Sequence, residues 1–216
     1  MTTTIKLEEK VKTKGQEVAE ELKIYFRERG IYVINLIGSP GSGKTSLLES
    51  LAPDLRGRTA VIEGDLQTDK DKLRIERAGL PAYQLNTLGA CHLDAKMIRQ
   101  AVDEFSLEGA KILFIENVGN LVCPASFVIG EDVKVAVVSV TEGDDKPAKY
   151  PTAIRVSSAM VITKMDLLPY TDCHVDQMEA DAHAINPQMK IFKTSMKTGE
   201  GMKEFLAWIE ESAAAK

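Results

Sequence analysis

Residues 38–45 read Gly38-Ser39-Pro40-Gly41-Ser42-Gly43-Lys44-Thr45, the full G-x-x-x-x-G-K-[ST] spacing of a phosphate-binding loop. Each residue type has a physical role. Gly38, Gly41 and Gly43 let the backbone curl so that successive amides, those of Ser39 and Ser42 included, point into one anion-sized hollow. Lys44 can set a charge against the β- and γ-phosphates of a nucleotide. Thr45 offers a hydroxyl to Mg²⁺. The helix that begins here and runs on through Ser46-Leu47-Leu48-Glu49-Ser50-Leu51 aims its positive end at the same anion. Upstream, Ile31-Tyr32-Val33-Ile34-Asn35-Leu36-Ile37 is apolar and β-branched, a buried strand.

Two later segments have the chemistry to read a base. Thr163-Lys164-Met165-Asp166 follows an apolar run and resembles the N-K-x-D motif with which GTPases read guanine, with Thr163 in place of Asn. The Asp166 carboxylate can accept hydrogen bonds from N1–H and N2–H₂ of guanine, a donor pair that adenine lacks. The aliphatic stem of Lys164 can lie on the base. Lys193-Thr194-Ser195-Met196-Lys197-Thr198-Gly199 follows the next strand and looks like the S-A-K loop that closes over guanine. Mg²⁺ on GTP also needs acidic oxygens near Thr45. Glu63-Gly64-Asp65 and Glu116-Asn117-Val118-Gly119 both end strands, and the second is similar to D-x-x-G with Glu for Asp. Asp65 and Glu116 are the candidates to bind Mg²⁺, directly or through water. Asp69 and Asp71 are read as solvated charge, with a mobile loop as the alternative.

A third constellation is of softer ligands. Gly89-Ala90-Cys91-His92-Leu93-Asp94-Ala95 precedes a helix, and Val122-Cys123-Pro124 lies a few residues after Glu116. Thiolate and imidazole suit Zn²⁺ and Ni²⁺. Adjacent Cys91 and His92 would point apart in a strand, but a loop at a helix start can turn both inward. Three ligands are fewer than a closed tetrahedral site takes, so an exchangeable ligand or a second subunit completes it. The alternative is that each cysteine is a small core hydrophobe, the usual role of a lone Cys. Cys173-His174, with His183 beyond, is a competing pair in a polar segment read as surface loop.

The elements that must position these residues alternate between strand and helix. Residues 5–29 have helical spacing of Val18, Leu22, Tyr25, Phe26 and Arg29, with Gly30 as a stop and Gly15 as a possible division. Strands are expected at 59–63, 82–85, 111–116, 133–140, 159–163 and 190–193. Helices are expected at 94–105 and at the end of the chain, where Met202, Phe205, Leu206 and Ile209 share a face. This pattern implies a three-layer α/β P-loop NTPase fold, with a mostly parallel sheet and helices on both faces. Residues 1–29 form an amphipathic helical arm, a solvated helix packed on the domain or a docking arm, and 30–212 the P-loop domain. Ligands of such sheets collect at the carboxyl ends of strands, where every segment above falls.

Composition narrows the classes. The chain has 216 residues, 44% of them hydrophobic, enough for one well-buried domain. A net charge of −5 argues against a broad basic face for nucleic acid. No apolar run reaches membrane-spanning length. Met1-Thr2-Thr3-Thr4 followed by mixed charges does not read as a signal peptide. Three scattered cysteines fit free thiols and a cytoplasmic location rather than a disulfide framework.

Taken in order, the phosphate loop, Glu63-Gly64-Asp65, the Cys91-His92 segment, Glu116 through Pro124 and Thr163-Lys164-Met165-Asp166-Leu167 resemble the HypB family, the GTPases that help insert nickel into [NiFe] hydrogenase. The resemblance covers roughly residues 30–205, and the Cys-His and Asn-Leu-Val-Cys-Pro segments are its specific part. It implies a GTP-dependent homodimer with Cys91, His92 and Cys123 near the subunit interface, holding Zn²⁺ or Ni²⁺. It implies a HypA-type nickel chaperone and a hydrogenase large-subunit precursor as partners. This sequence has no N-terminal Cys-x-x-Cys-type motif and no His-rich stretch, so it is not expected to bind nickel tightly at its start or to store it. Three alternatives stand beside this reading. One is a GTPase chaperone for urease or a cobalamin-dependent enzyme, although urease-type relatives use a differently spaced Cys-Pro-His. Another is a non-catalytic metal-binding scaffold. The last is a partitioning or nitrogenase-type ATPase, which has a second Lys where this loop has Ser39-Pro40.

Overall fold

The computed structural model describes the backbone of residues 2–65, 70–87 and 89–216, and the side chains of 14–64, 70–87 and 89–216. Helix α1 (Thr2–Glu28) leads into β1 (Tyr32–Gly38), α2 (Lys44–Leu55), β2 (Thr59–Asp65) and α3 (Lys70–Ala78). Then come β3 (Ala82–Asn86), α4 (Ala95–Glu104), β4 (Ile112–Glu116) and the single turn α5 (Cys123–Ser126). Strand β5 (Val133–Ser139) is followed by the short α6 (Lys146–Lys149) and α7 (Pro151–Val156), then β6 (Ala159–Thr163). The chain closes with α8 (Val175–Ile185), β7 (Lys190–Lys193) and α9 (Met202–Ala214).

The strands form one sheet in the order β3-β2-β4-β1-β5-β6-β7, with every neighbouring pair parallel. Their near-continuous apolar sequences are explained by burial on both faces. Along β1, Tyr32, Ile34 and Leu36 pack beneath α2, α3 and α9, together with Leu47, Leu51, Ile75 and Phe205. The alternate residue Val33 packs with Leu22 and Phe26 of α1 and with Ile98 of α4. Past the middle of the sheet, Ala136 and Val138 of β5 meet Ile154 of α7 and Met178 of α8. This period of two gives the three-layer architecture expected from the sequence.

Helix α1 runs through Gly15 without a division there. A single glycine in a helix costs only about 1 kcal/mol relative to alanine, too little to break a helix whose later turns are packed. Phe26 and Leu22 are fully buried, which contributes roughly 1.5–3 kcal/mol each. Arg29 lies beyond the helix end, with its guanidinium over the Tyr25 ring. The arm is thus partly core, with Gln16, Glu17, Glu20, Glu21 and Ile24 along its outer side.

Five of the described helices escaped the sequence reading: α3, α8 and the short α5, α6 and α7. Asp71, expected to be solvated or in a mobile loop, lies in the first turn of α3 and pairs with Arg74 at 2.9 Å. His183 lies in the last turn of α8, while Cys173 and His174 precede that helix in the expected loop. Asp69 lies outside the described residues.

Candidate functional site

The parallel register brings the carboxyl ends of β1, β2 and β4 side by side, and a cleft of about 440 Å³ opens over them. Its wall is the loop from Pro40 to Ser46. Gly43 is at φ +99°, a left-handed conformation that glycine adopts freely, and α2 starts directly after it. Lys44 Nζ donates to the carbonyls of Gly38 and Ser39 at 3.2 and 3.3 Å, bridging the loop across its mouth. Burial pulls the Lys44 ammonium below its ordinary pKa, against the attraction of Glu116. A polyphosphate would supply the counter-charge this lysine is short of.

Thr45 Oγ1 donates to Glu116 Oε1 at 2.8 Å, deep in the cleft. The other carboxylate oxygen of Glu116 is buried without a hydrogen-bond partner among the described residues. Burial raises the Glu116 pKa to about 7, with Lys44 and the Thr45 bond pulling the other way. Glu63 sits opposite Glu116 in the β2–β4 register and also lines the cleft, as does Asp71. An orphaned buried carboxylate oxygen beside a threonine hydroxyl is the donor set of an oxygen-loving divalent cation, so these residues fit Mg²⁺. Asp65 closes β2, but its side chain lies outside the described residues. Arg74, which the sequence reading missed, also lines the cleft, hydrogen-bonded to Ser46 Oγ at 3.0 Å and to Glu49.

The residues expected from the sequence to read the base gather at the ends of β6 and β7. Lys164 is at φ +60°, the one non-glycine residue with positive φ among those described. Its Nζ donates to Gly41 O at 2.7 Å, tying this segment to the phosphate loop. Thr163, standing where an Asn was expected, donates its hydroxyl to Ser42 O at 2.6 Å and so makes a second tie. Ser195 Oγ donates to Asp166 Oδ1 at 2.6 Å, which fixes the carboxylate with one oxygen left for a ligand. The Met196 side chain lies near Gly43, and Lys197 is exposed.

Across the phosphate loop, Cys91, His92 and Cys123 converge. Their donor atoms all lie within 4.8 Å of one another. Cys91 Sγ is 2.7 Å from Cys123 Sγ and 3.7 Å from His92 Nδ1, and the cysteines are free. The His92 ring stacks on Phe127, with centroids 3.9 Å apart, so its orientation is set by packing. Burial lowers the His92 pKa, which favours the neutral, ligating imidazole. The adjacent Cys91 thiol, more than burial, pushes the Cys123 thiol up. Two thiols and an imidazole at this spacing fit Zn²⁺ or Ni²⁺. Cys173 instead lies beside Met178 Sδ, and His174 pairs with Asp144.

Residues 32–193 match the family model described as CobW/HypB/UreG, nucleotide-binding domain. The hydrogenase maturation factor HypB of Escherichia coli (strain K12) is 48% identical over 213 residues, covering 98% of this chain and 73% of that protein. Its counterpart from Rhizobium leguminosarum bv. viciae is 46% identical over 214 residues, covering 98% and 72%. Among solved structures, HypB from Helicobacter pylori in complex with nickel superposes with a TM-score of 0.89 at 39% identity, covering 94% of this chain and 96% of that one. HypB from Archaeoglobus fulgidus gives 0.87 at 37%, covering 93% and 99%.

Two substitutions test the nucleotide half of the site. Lys44→Ala removes a charge-assisted contact, and GTP turnover by the purified variant is expected to fall on the order of 10²-fold or more. Turnover at the parent rate would remove Lys44 from the phosphates. Asp166→Asn replaces an acceptor pair with a mixed donor and acceptor. Its preference for GTP over ATP in competition binding is expected to drop on the order of tenfold or more. An unchanged preference would mean that another group reads the base.

Proposed function

This chain belongs to the HypB family, and from that membership and the site geometry we propose that it is a GTP-hydrolysing metallochaperone that assists nickel insertion into [NiFe] hydrogenase. The observation that carries the proposal is the placement of Cys91, His92 and Cys123. Cys91 and His92 come from the loop after β3 and Cys123 from the loop after β4, the strand whose end lines the cleft.

The loop amides and Lys44 cradle the β- and γ-phosphates and stabilise charge on the β–γ bridge as it breaks. Thr45 and Glu116 would hold Mg²⁺, with Asp65 as a further candidate ligand from the sequence, and the ion would supply positive charge to the phosphate oxygens. Asp166 and Lys164 select guanine, and Ser195, Met196 and Lys197 close over it. Nickel is cargo in this scheme, and Zn²⁺ competes for the same thiols. Three donors per chain leave a tetrahedral site open, so we assign the GTP-bound state to a homodimer in which both chains contribute ligands. GTP hydrolysis loosens the dimer and releases the metal toward a HypA-type chaperone and the hydrogenase large-subunit precursor. The cytoplasm, where thiols stay reduced, suits three free cysteines. Among the described residues no helix is long and apolar enough to cross a membrane.

Linkage requires that metal tighten the GTP-bound dimer as much as dimerisation tightens the metal. Titration of Zn²⁺ and Ni²⁺ into the protein is expected to give different affinity or stoichiometry with GDP and with a non-hydrolysable GTP analogue. Cys91→Ala and Cys123→Ala are expected to weaken binding sharply. Equal binding in both nucleotide states, or unchanged binding in either variant, would defeat the proposal.

A further inference from the structure

Glu116 is followed by Asn117-Val118-Gly119-Asn120, and both asparagine side chains reach the metal loop. Asn117 is only 1% exposed. Its Oδ1 accepts from the Leu93 amide at 3.0 Å and from Val118 N at 3.1 Å, and its Nδ2 donates to Asn35 Oδ1 at 3.2 Å. Asn120 Oδ1 accepts from Val122 N at 2.7 Å, and its Nδ2 donates to the Cys91 carbonyl at 3.4 Å. The Cys91-His92 pair is therefore held on both flanks, at the carbonyl of Cys91 and at the amide of Leu93.

The same short segment rests on the phosphate loop. Asn120 forms an antiparallel bridge with Gly38. A Cβ at Gly119 would meet Pro40 at 2.8 Å, so only glycine permits this approach. Asn117 N donates to Leu36 O at 3.0 Å, anchoring the start of the segment to β1. A ligand that takes Thr45 or Glu116 from its partner must move or stiffen these four residues or leave them fixed. In the first case both flanks of the metal loop feel it. Only a side-chain amide serves here, because each position uses a donor and an acceptor at once.

We propose that Asn117 and Asn120 are positioning residues that transmit the nucleotide state to the Cys91–His92–Cys123 site. This rests on the metallochaperone reading above. Asn117 lines the nucleotide cleft, and neither asparagine is a metal ligand in this role; they set the spacing of the ligands in each state.

The test is Zn²⁺ affinity of the full chain, measured by competition with a chromophoric chelator, with GDP and with a non-hydrolysable GTP analogue. The variants are Asn117→Ala, Asn120→Ala and Asn120→Asp, each with its thermal melt and its affinity for the analogue. In Asn120→Ala the ratio of the two Zn²⁺ affinities is expected to shrink toward one by roughly fivefold, the change that one lost hydrogen bond makes in an equilibrium. Analogue affinity is expected to stay near the parent value. Asn120→Asp keeps the acceptor for Val122 but loses the donor, and is expected to shrink the ratio as well. Equal loss of Zn²⁺ affinity in both states, with the ratio kept, would make the asparagines merely structural and overturn the proposal. If the parent protein itself shows no nucleotide dependence, the metallochaperone reading fails first. Should Asn117→Ala not fold, the partly exposed Asn120 decides alone.

Discussion

Glu116 ends a central strand with one oxygen bonded to Thr45 and the other bonded to nothing among the described residues. A buried carboxylate in that position is expensive, and burial raises its pKa to about 7. Lys44 provides part of the compensation, and that lysine is itself held below its ordinary pKa by the same burial. Neither charge is fully satisfied by the other. The arrangement makes sense for a site completed by a cation and a polyphosphate, which together supply the missing positive and negative partners. The neighbouring Glu63 is set beside Glu116 by the strand register.

From that constraint the rest of the site follows by topology. The strands that bury Glu116 and Glu63 are neighbours in a parallel sheet, so the loops leaving their carboxyl ends, and that of β3 beside them, rise on one edge of the molecule. Cys91 comes after β3 and Cys123 after β4, and this is why side chains 32 residues apart in sequence meet. On the other side of the phosphate loop, β6 and β7 bring together Asp166 and Ser195, the residues proposed to read the base. Ties from Lys164 and Thr163 to the loop carbonyls of Gly41 and Ser42 couple the base side to the phosphate side. Nucleotide and metal chemistry thus share one loop as a common wall.

Much of this was legible in the sequence because it is local. The phosphate loop, the Thr163–Asp166 segment and the Cys-His and Val-Cys-Pro segments each carry their chemistry in a few consecutive residues. The strands were legible because burial on both faces leaves apolar runs. Helix α3 was not, because only Ile75 of its nine residues is buried and the apolar period never appears. Helix α8 shows Val175, Met178 and Ala182 inward, a weak signal of small and medium residues among acids. Arg74 belongs to the unread α3, so its place in the cleft was invisible too. Asn117 carried no signal of its own, since its partner Leu93 lies 24 residues back and only the fold joins them. Gly15 misled in the opposite direction, because helix-breaking tendency is small beside the packing of Leu22 and Phe26.

The account stands on Glu116 being charged for a ligand rather than for the fold, and Glu116→Gln separates the two. The amide keeps the shape and an acceptor for Thr45 while removing the charge. Measured side by side, the melting temperature of the nucleotide-free, Mg²⁺-free variant is expected to equal or exceed that of the parent, because a carboxylate whose pKa is raised by burial costs the fold stability when it ionises. Its Mg²⁺-dependent GTP turnover is expected to fall on the order of 10²-fold or more. Parent-level turnover with Mg²⁺, or a variant that loses its fold while the parent keeps it, would contradict the account.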